Sequence, residues 1–534
     1  MSQSLFIAQT TDPVLDLRDL SLLSQHTTRP RTSLSEQQES IDSTQDVQAT
    51  TLSRSRMVIL ITTLTGITFV GSMSSGLSTI GIPVIAADLS LPDNLLMWPV
   101  SVYHLANGCC LLLAGSMADL MGNRMINLLG CLLLAAFILG CGVAESGIQL
   151  ILFRTFQGIA TSMCLPTAFS ILTQTLPMGK PRNIGFACLG LGQPLGFAVG
   201  LVFGGLFQGS SLGWRFGFYL CAGATGTLMV INYFKLPPDA AREPITLRRL
   251  RAEIDWIGII VSSSCLGIIS YVFATISDDP SNVHKAQNIA LLCCAGAMIP
   301  GFWVWMGRRE RAGKPALIPN SLWKNTAFSS MCVIVLFSWA VLNGVETILS
   351  LFFQEVQELS GFQSALRFLP NVIIGVLLNL GTGLLVHRVH ANHLVLVSSL
   401  LSAGSPLLMA IIDPQWSWWY CAFWAVLLSP LSADVIFTIA NLIVADAFTP
   451  QTRGLAGAAF NTIAEFGTSL GLTIFAIISA GVTRDSSIAD KQSPEALMVG
   501  YRAVFWTCFG LMLGACGVGL WGLRNVGRIG LKRE

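Results

Sequence analysis

Three carboxylates lie inside long apolar stretches of the sequence: Glu346 within 327–352, Asp434 within 418–445 and Glu465 within 454–481. An ionised carboxylate is costly in a low-dielectric interior, so an acid at that depth either takes up a proton or sits against water or a hydrogen-bonding partner. Both readings remain open for all three. His104, flanked by Tyr103 and Asn107, is a fourth candidate. Histidine changes charge near neutral pH, so it either joins a proton relay with these acids or lines a polar cavity. Arg154 lies near the start of the apolar stretch 149–173. Buried arginine is paired or functional, whereas arginine at a membrane edge snorkels. Gln157, Gln193, Asn343 and Asn461 are the polar candidates for lining a cavity, and Trp339 and Phe352 are candidate stacking surfaces.

Other chemistries find no support. No nucleophile is paired with a base, which argues against an enzyme. All fourteen cysteines fall in apolar stretches, with no CxxC or Cys/His spacing, so neither a metal site nor a disulfide framework is expected. There is no Walker A loop to hold ATP. No cofactor is expected.

The elements that position these residues are written in the composition. Of 534 residues, 52% are hydrophobic and 11% charged, and mean hydropathy is +0.64. A soluble domain carries about 25% charged residues. This is a polytopic membrane protein. The net charge of +2 gives no sign of a nucleic-acid partner. A spanning helix needs about 20 apolar residues. The sequence predicts fourteen: 57–82, 97–119, 124–144, 149–173, 184–207, 216–236, 254–275, 288–306, 327–352, 364–386, 393–412, 418–445, 454–481 and 500–523.

Basic residues alternate in phase with these spans. One side holds Arg54, Arg56, Arg124, Lys180, Arg182, Lys235 to Arg251, Arg308 to Lys324, Arg388, Arg453 and Arg524 to Arg533; the other holds Arg215, Lys285, Arg484 and Lys491. Both termini are therefore expected in the cytoplasm. No cleavable signal peptide is seen, and 1–56, rich in Ser, Thr and Gln, reads as a disordered tail. The predicted organisation is an N-terminal six-helix half (57–236), a linker carrying an extra hairpin (237–326), a C-terminal six-helix half (327–523) and a short tail (524–534). Two halves of six around a central site is a layout shared by many secondary transporters.

Span five carries Gly192, Gly196, Gly200 and Gly204 at a spacing of four, with Gly205 and Gly190 beside them. Residues four apart form one ridge of a helix. Each glycine costs about 1 kcal/mol relative to alanine, and the usual reason in a membrane is close approach of another helix. The ridge is either a packing seam alone or a seam that also governs the direction of transport.

Specific motifs connect these features to a known family. Gly115-Ser-Met-Ala-Asp119-Leu-Met-Gly122-Asn-Arg124 resembles the loop signature of the major facilitator superfamily, with Gly115, Asp119, Gly122 and Arg124 matching and Leu120 and Asn123 replacing basic residues. The resemblance implies a charged clasp that holds one conformation and releases in another. Arg154, Gln157 and Gly158 are similar to that family's R-x-x-q-G pattern, which implies a part in proton coupling for Arg154. Gly196-Phe-Ala-Val-Gly200-Leu-Val-Phe-Gly204-Gly205 resembles its antiporter signature, with Leu201 in place of proline and Pro194 upstream. Trp214-Arg215, Asp255-Trp256-x-Gly258, Leu96 to Tyr103, Phe353-Gln354 and Leu369-Pro370 resemble the fourteen-spanner drug:proton antiporter branch, in its fungal form. A degenerate copy of the loop motif spans 383–390, with His387 and His390 replacing Asp and Gly.

The fold these resemblances imply is all-α, a major facilitator bundle with an added hairpin. The function they imply is proton-coupled export of a small organic molecule, such as a secondary metabolite, toxin or drug. The alternative is uptake of a small polar solute or ion such as ammonium. A receptor without transport is disfavoured by the short tail after span fourteen. A monomer in the plasma membrane is expected, with the vacuolar membrane as the other location. Expected partners are protons, a small-molecule substrate and lipid.

Overall fold

A computed structural model of the chain describes residues 53–92, 95–177, 180–239, 254–278, 280–314, 316–385, 389–447 and 450–524. The expectations for most of the N-terminal tail, the linker from 240 to 253, His387, Arg388 and the C-terminal tail from 525 lie outside these residues.

Among the described residues there are sixteen α-helices and no strand. They are α1 (Arg54–Asp88), α2 (Trp98–Met121), α3 (Asn123–Val143), α4 (Gly147–Thr175), α5 (Lys180–Gln208), α6 (Arg215–Lys235), α7 (Trp256–Asp278), α8 (Ala286–Arg311), α9 (Thr326–Leu351), α10 (Gly361–Arg367), α11 (Leu369–Leu385), α12 (Ala391–Ile411), α13 (Ala422–Leu428), α14 (Leu431–Ala447), α15 (Pro450–Asp485) and α16 (Pro494–Gly522). Each predicted span is helical. Two are broken, and both breaks coincide with proline. The tenth divides into α10 and α11 just before Leu369-Pro370, and the twelfth into α13 and α14 at Ser429-Pro430. Proline lacks the N–H and crowds the preceding turn, so each helix restarts there. Among the described residues thirteen helical segments, each broken span taken as one, are long and apolar enough to cross a membrane. The predicted sixth span falls short of that measure. It forms α6, whose Gly223, Thr225, Gly226, Thr227 and Asn232 dilute its apolar character.

The glycine ridge of α5 meets α1, and no other pair of helices touches over a greater length. A Cβ at Gly196 would overlap the carbonyl oxygen of Phe69, and one at Gly200 that of Met73. From the other side, a Cβ on Gly76 of α1 would overlap the carbonyl of Phe197. Backbone thus lies on backbone. Gly205 faces elsewhere, against the backbone of Gly361 at the start of α10. Leu201, standing where the antiporter signature has proline, is 2% exposed. It lies in an apolar core shared with Ile80, Val341, Val345, Ile348 and Phe475.

That core belongs to one end of the bundle, where α1, α5 and α9 finish. Polar contacts reinforce it. Pro83 inside α1 cannot donate to the carbonyl of Thr79; Ser350 Oγ donates to that carbonyl instead, at 3.2 Å. The next carbonyl, of Ile80, accepts from Gln208 Nε2 and Gln354 Nε2, each at 3.0 Å. The stretch of α1 before Pro83 is thereby tied to α5 and to the end of α9 at once. Nearby, Ser101 on α2 donates to the carbonyl of Ser469 on α15 at 2.9 Å and lies 3.0 Å from Thr473 Oγ1.

The extra hairpin, α7 and α8, packs on α2 and α15 through α7. Asp255 closes its base. It accepts from the Gly258 N–H at 3.0 Å and from Trp305 Nε1 at 2.9 Å, with Arg309 Nε at 3.8 Å. The Asp255-Trp256-x-Gly258 motif is thus a helix start that also pins α8.

Gly200→Ala adds a methyl where Met73 backbone stands, and overpacking costs about 1–3 kcal/mol, against a helix-propensity gain of about 1 kcal/mol. Its thermal midpoint in detergent should fall. Gly226→Ala on α6, which meets open space, should leave the midpoint unchanged or raise it. A Gly200→Ala midpoint that rises like the control would show that the seam has slack.

Candidate functional site

A cavity of about 280 Å³ lies between α1, α2, α4, α5, α9, α11, α14 and α15. The sequence candidates His104, Gln193, Trp339, Asn343, Glu346, Asp434, Asn461 and Glu465 all line it. Both broken helices contribute. Asn371 follows Pro370 at the start of α11, and Asp434 lies four residues after Pro430. Interrupted helices are tolerated at membrane depth where they line a cavity.

Glu346 of α9 is 7% exposed and accepts from Asn371 Nδ2 at 3.1 Å. One turn further along α11, a Cβ at Gly375 would lie 2.9 Å from Asp434 Oδ2. The same face of α11 therefore meets both carboxylates. Across the cavity, His104 Nδ1 of α2 lies 2.7 Å from Glu465 Oε2 of α15. The sequence named these two residues separately; the structure makes them a pair between helices of opposite halves. Asn343 donates to Thr468 Oγ1 at 3.1 Å, and Asn461 donates to the Gly457 carbonyl at 2.9 Å. The Trp339 ring lies 6.3 Å from that of Phe437, tilted by 43°, and Phe437 is a second ring on the cavity wall. Phe352 lies elsewhere, fully buried in the apolar core at the closed end.

Arg154 and Gln157 stand apart from the cavity. Gln157 was expected on its wall, and this is a correction: it is fully buried because the guanidinium beside it claims its carbonyl. Arg154 does not snorkel either; it is 0% exposed. It donates from Nε to the Pro99 carbonyl at 3.0 Å and from Nη1 to Gln157 Oε1 at 2.9 Å, with Ser74 Oγ at 3.4 Å. Gln157 Nε2 donates to Ser74 Oγ at 2.9 Å. The guanidinium also lies 4.6 Å from the Tyr103 ring, and that ring lines the cavity. Arg154 thus joins α4 to α1 and α2 through neutral groups.

At the other end of α2 the loop motif has a partner that the sequence did not reveal. Gly122 adopts φ +111°, a left-handed backbone that glycine allows, and a Cβ there would overlap the Asp239 carboxylate. Asp239 Oδ1 accepts from the Arg124 N–H at 3.1 Å, and Arg124 Nη2 donates to the Tyr233 carbonyl at 2.7 Å. Gly122 and Arg124 thereby tie the start of α3 to the end of α6. Gly115 meets open space, and Asp119 is an exposed member of the last turn of α2. The Trp214-Arg215 pair grips the end of α1: Trp214 Nε1 donates to Asp88 Oδ2 at 3.1 Å, Arg215 pairs with the same carboxylate, and Arg215 Nη2 reaches the Ala144 carbonyl at 3.0 Å.

The sequence did not flag Asn371, Phe437, Ser74 or Asp239. Asn371 left a trace, a polar residue beside proline inside an apolar run. The others carry no local signal, because their partners lie on other helices.

The family model of the Major Facilitator Superfamily matches residues 64–472. The chain belongs to the major facilitator superfamily. It is similar over 526 residues, at 38% identity, to MFS-type transporter 1 of Pyricularia oryzae, covering 90% of this chain and 85% of that protein. It is 25% identical to the low affinity ammonium transporter of Saccharomyces cerevisiae, with 78% of each chain covered. It is 24% identical to efflux pump terJ of Aspergillus terreus, covering 80% of this chain and 81% of that one. Among solved structures it resembles a bacterial homologue of the human lysosomal transporter Spinster, with TM-score 0.63 and 16% identity over 89% of this chain and 98% of that one; this likeness shows the fold. This facilitator is therefore a multi-pass membrane transporter for small molecules, in a family of transporters rather than enzymes.

The Arg154 network makes a measurable demand. Hydrogen bonds to a charged group contribute about 1.5–3 kcal/mol. Gln157→Leu removes an acceptor from Arg154 and a donor from Ser74, so the purified facilitator should lose about that much stability, read as a lower thermal midpoint. Gln157→Glu retains the acceptor and supplies a counter-charge, and should preserve it. A Gln157→Leu variant that melts with the parent would show that this network does not hold α4 to α1.

Proposed function

We propose that the protein exports a small organic molecule from the cytoplasm in exchange for protons, by alternating access to the central cavity. The observation that carries this reading is the set of three carboxylates, Glu346, Asp434 and Glu465, lining one cavity between the halves. Each can exchange its proton as the cavity changes side, and a proton drives the cycle only if its affinity differs between the two states. The basic-residue pattern puts both termini in the cytoplasm, so the closed end of the bundle faces outward and the cavity is loaded from the cytoplasm. Arg154 contributes by holding α4 and Tyr103 at the cavity wall. The Gly122–Asp239–Arg124 contacts form the clasp that steadies this state. Similarity to efflux pump terJ supports export of an organic compound, and the plasma membrane is the location that suits it.

A second reading rests on the similarity to the yeast low affinity ammonium transporter: uptake of ammonium or a small relative. Direction separates the two. Inside-out vesicles with an acid interior should accumulate cargo identified by comparing metabolites of cells with and without the protein. Replacing Glu346, Asp434 and Glu465 together by their amides should abolish that accumulation. Unchanged proton-coupled accumulation in the triple variant would refute the assignment of these acids. Intact cells that accumulate methylammonium through this protein, with no efflux in vesicles, would favour uptake.

A further inference from the structure

We propose that Asn371 is a positioning residue whose amide holds the Glu346 carboxylate only while the closed end is shut, so that the hold of Glu346 on a proton follows the state of that seal. This rests on the proton-exchange reading above and names what makes the affinity differ between the two states.

The partners of the 3.1 Å Asn371–Glu346 hydrogen bond stand on elements that the N-terminal half holds separately. Glu346 is on α9. Ser350, one turn further on the same face, donates to the Thr79 carbonyl of α1, and Gln354 donates to that of Ile80. Asn371 opens α11, just after the short helix α10. A capping box of Ser360 and Gln363 fixes the start of α10. This helix touches α5, in the opposite half, more extensively than any helix of its own half. The contact is backbone on backbone: a Cβ at Gly205 would lie 2.5 Å from the Gly361 carbonyl oxygen and 2.7 Å from Phe362 Cα.

A short path joins that contact to the carboxylate. From Gly361 to Asn371 is about 15 Å of helix rise, interrupted at Phe368. The Asn371 N–H donates to the Phe368 carbonyl at 3.1 Å across the break, and Phe368 is 2% exposed in the core of the closed end. Beside it, Arg367 donates to Gln357 Oε1, with its guanidinium 5.1 Å from the Phe353 ring and 5.3 Å from the Trp418 ring. Arg367 and Phe368 are therefore a pivot, with Gly361 on one side and Asn371 on the other. When the halves part at this end, α9 loses α1 and α10 loses α5. Helix α10 then turns about the pivot and withdraws Asn371 from Glu346. A donated N–H stabilises a carboxylate over the acid. The shut seal thus favours release of the proton, toward the cytoplasm, and the open seal favours uptake from outside. That is the sign proton-driven export requires.

The titratable side chains that share the cavity with Glu346 are Tyr103 and His104 of α2, Cys164 of α4, Asp434 of α14 and Glu465 of α15; the lining residues of α1, α5 and α11 include none. Of the other helices packed on α9, α16 presents Tyr501, which donates to Glu355 beyond the end of α9, and α12 has only His393, in its first turn.

The test follows the carboxyl stretching band of Glu346 by infrared titration of the purified full chain in nanodiscs, the band being identified by its loss in Glu346→Gln. Asn371→Leu removes the donor and should move the midpoint to higher pH by about one unit, a tenfold change in proton affinity. Asn371→Gln keeps an amide and should restore it. Gly205→Ala, in the other half, wedges α10 off α5 and should move the midpoint the same way; Gly361→Ala repeats the wedge from α10 should that variant not fold. Gly226→Ala, in open space, should match the parent. Asn371→Leu with Gly205→Ala should move the midpoint no further than Asn371→Leu alone, because both remove one hydrogen bond. A band that stays put in Asn371→Leu, or never titrates, overturns the proposal. A shift in Asn371→Leu but in neither wedge variant overturns the link to the seal, as do additive shifts. If the band responds as predicted while Glu346→Gln still exchanges protons during transport in liposomes, the positioning role stands and the coupling role of Glu346 falls. Loss of proton exchange in Glu346→Gln, with a band indifferent to Asn371 and Gly205, does the reverse.

Discussion

Helix α1 is held by backbone contact, and much of the structure follows from that. The glycines of α5 let the two helices touch along their carbonyls, with Gly76 returning the contact from α1. Side chains anywhere on this seam would push α1 away from α4, and Ser74 would no longer reach Gln157 and Arg154. The same seam brings Pro83 to the closed end. There the Thr79 carbonyl, which has no Pro83 N–H to accept from, accepts from Ser350, and the Ile80 carbonyl accepts from Gln354 and Gln208. A covalent property of one proline thus becomes a tie between helices of opposite halves.

The closed end and the cavity are complementary parts of one arrangement. Apolar side chains of both halves interlock at the closed end, whereas the cavity collects ionisable and amide side chains from the same helices. Breaks at Pro370 and Pro430 put Asn371 and Asp434 where an uninterrupted helix would follow a different path. The ties between the halves at the closed end are hydrogen bonds of neutral side chains and apolar contacts. Such contacts separate without stranding charge in lipid, which suits a seal that must open. The His104–Glu465 pair crosses the halves deeper in the bundle, beside the cavity itself.

Much of this was legible in the sequence, for definite reasons. Hydropathy marks spans because lipid admits few polar residues, and all fourteen predicted spans are helical. The glycine ridge declared its partner contact by its spacing alone. Glu346, Asp434, Glu465 and His104 stood out because ionisable groups are rare at that depth, and the cavity gathers all four. What stayed hidden depends on which helices are neighbours. Gln157 looked like a cavity residue: its spacing of three from Arg154 makes the two neighbours on α4, but that they face Ser74 of α1 and not the cavity depends on which helices pack there. Asp239 lies outside the spans and shows its purpose only against Gly122 and Arg124. Gly205 belongs by sequence to the α1 seam but packs across the halves on Gly361, a contact that periodicity on one helix cannot reveal.

The central proposal is that the protonation state of the cavity acids sets whether the closed end is shut or open. Spin labels at Leu212, after α5, and Trp416, between α12 and α13, sit on exposed positions at that end, one in each half. Double electron–electron resonance in nanodiscs, on a background with the native cysteines replaced, reads their separation directly. The account predicts a second, longer distance whose population changes between pH 8 and pH 5, and loses that response when Glu346 and Asp434 become amides. One unchanging distance across that range in active transporter would contradict it.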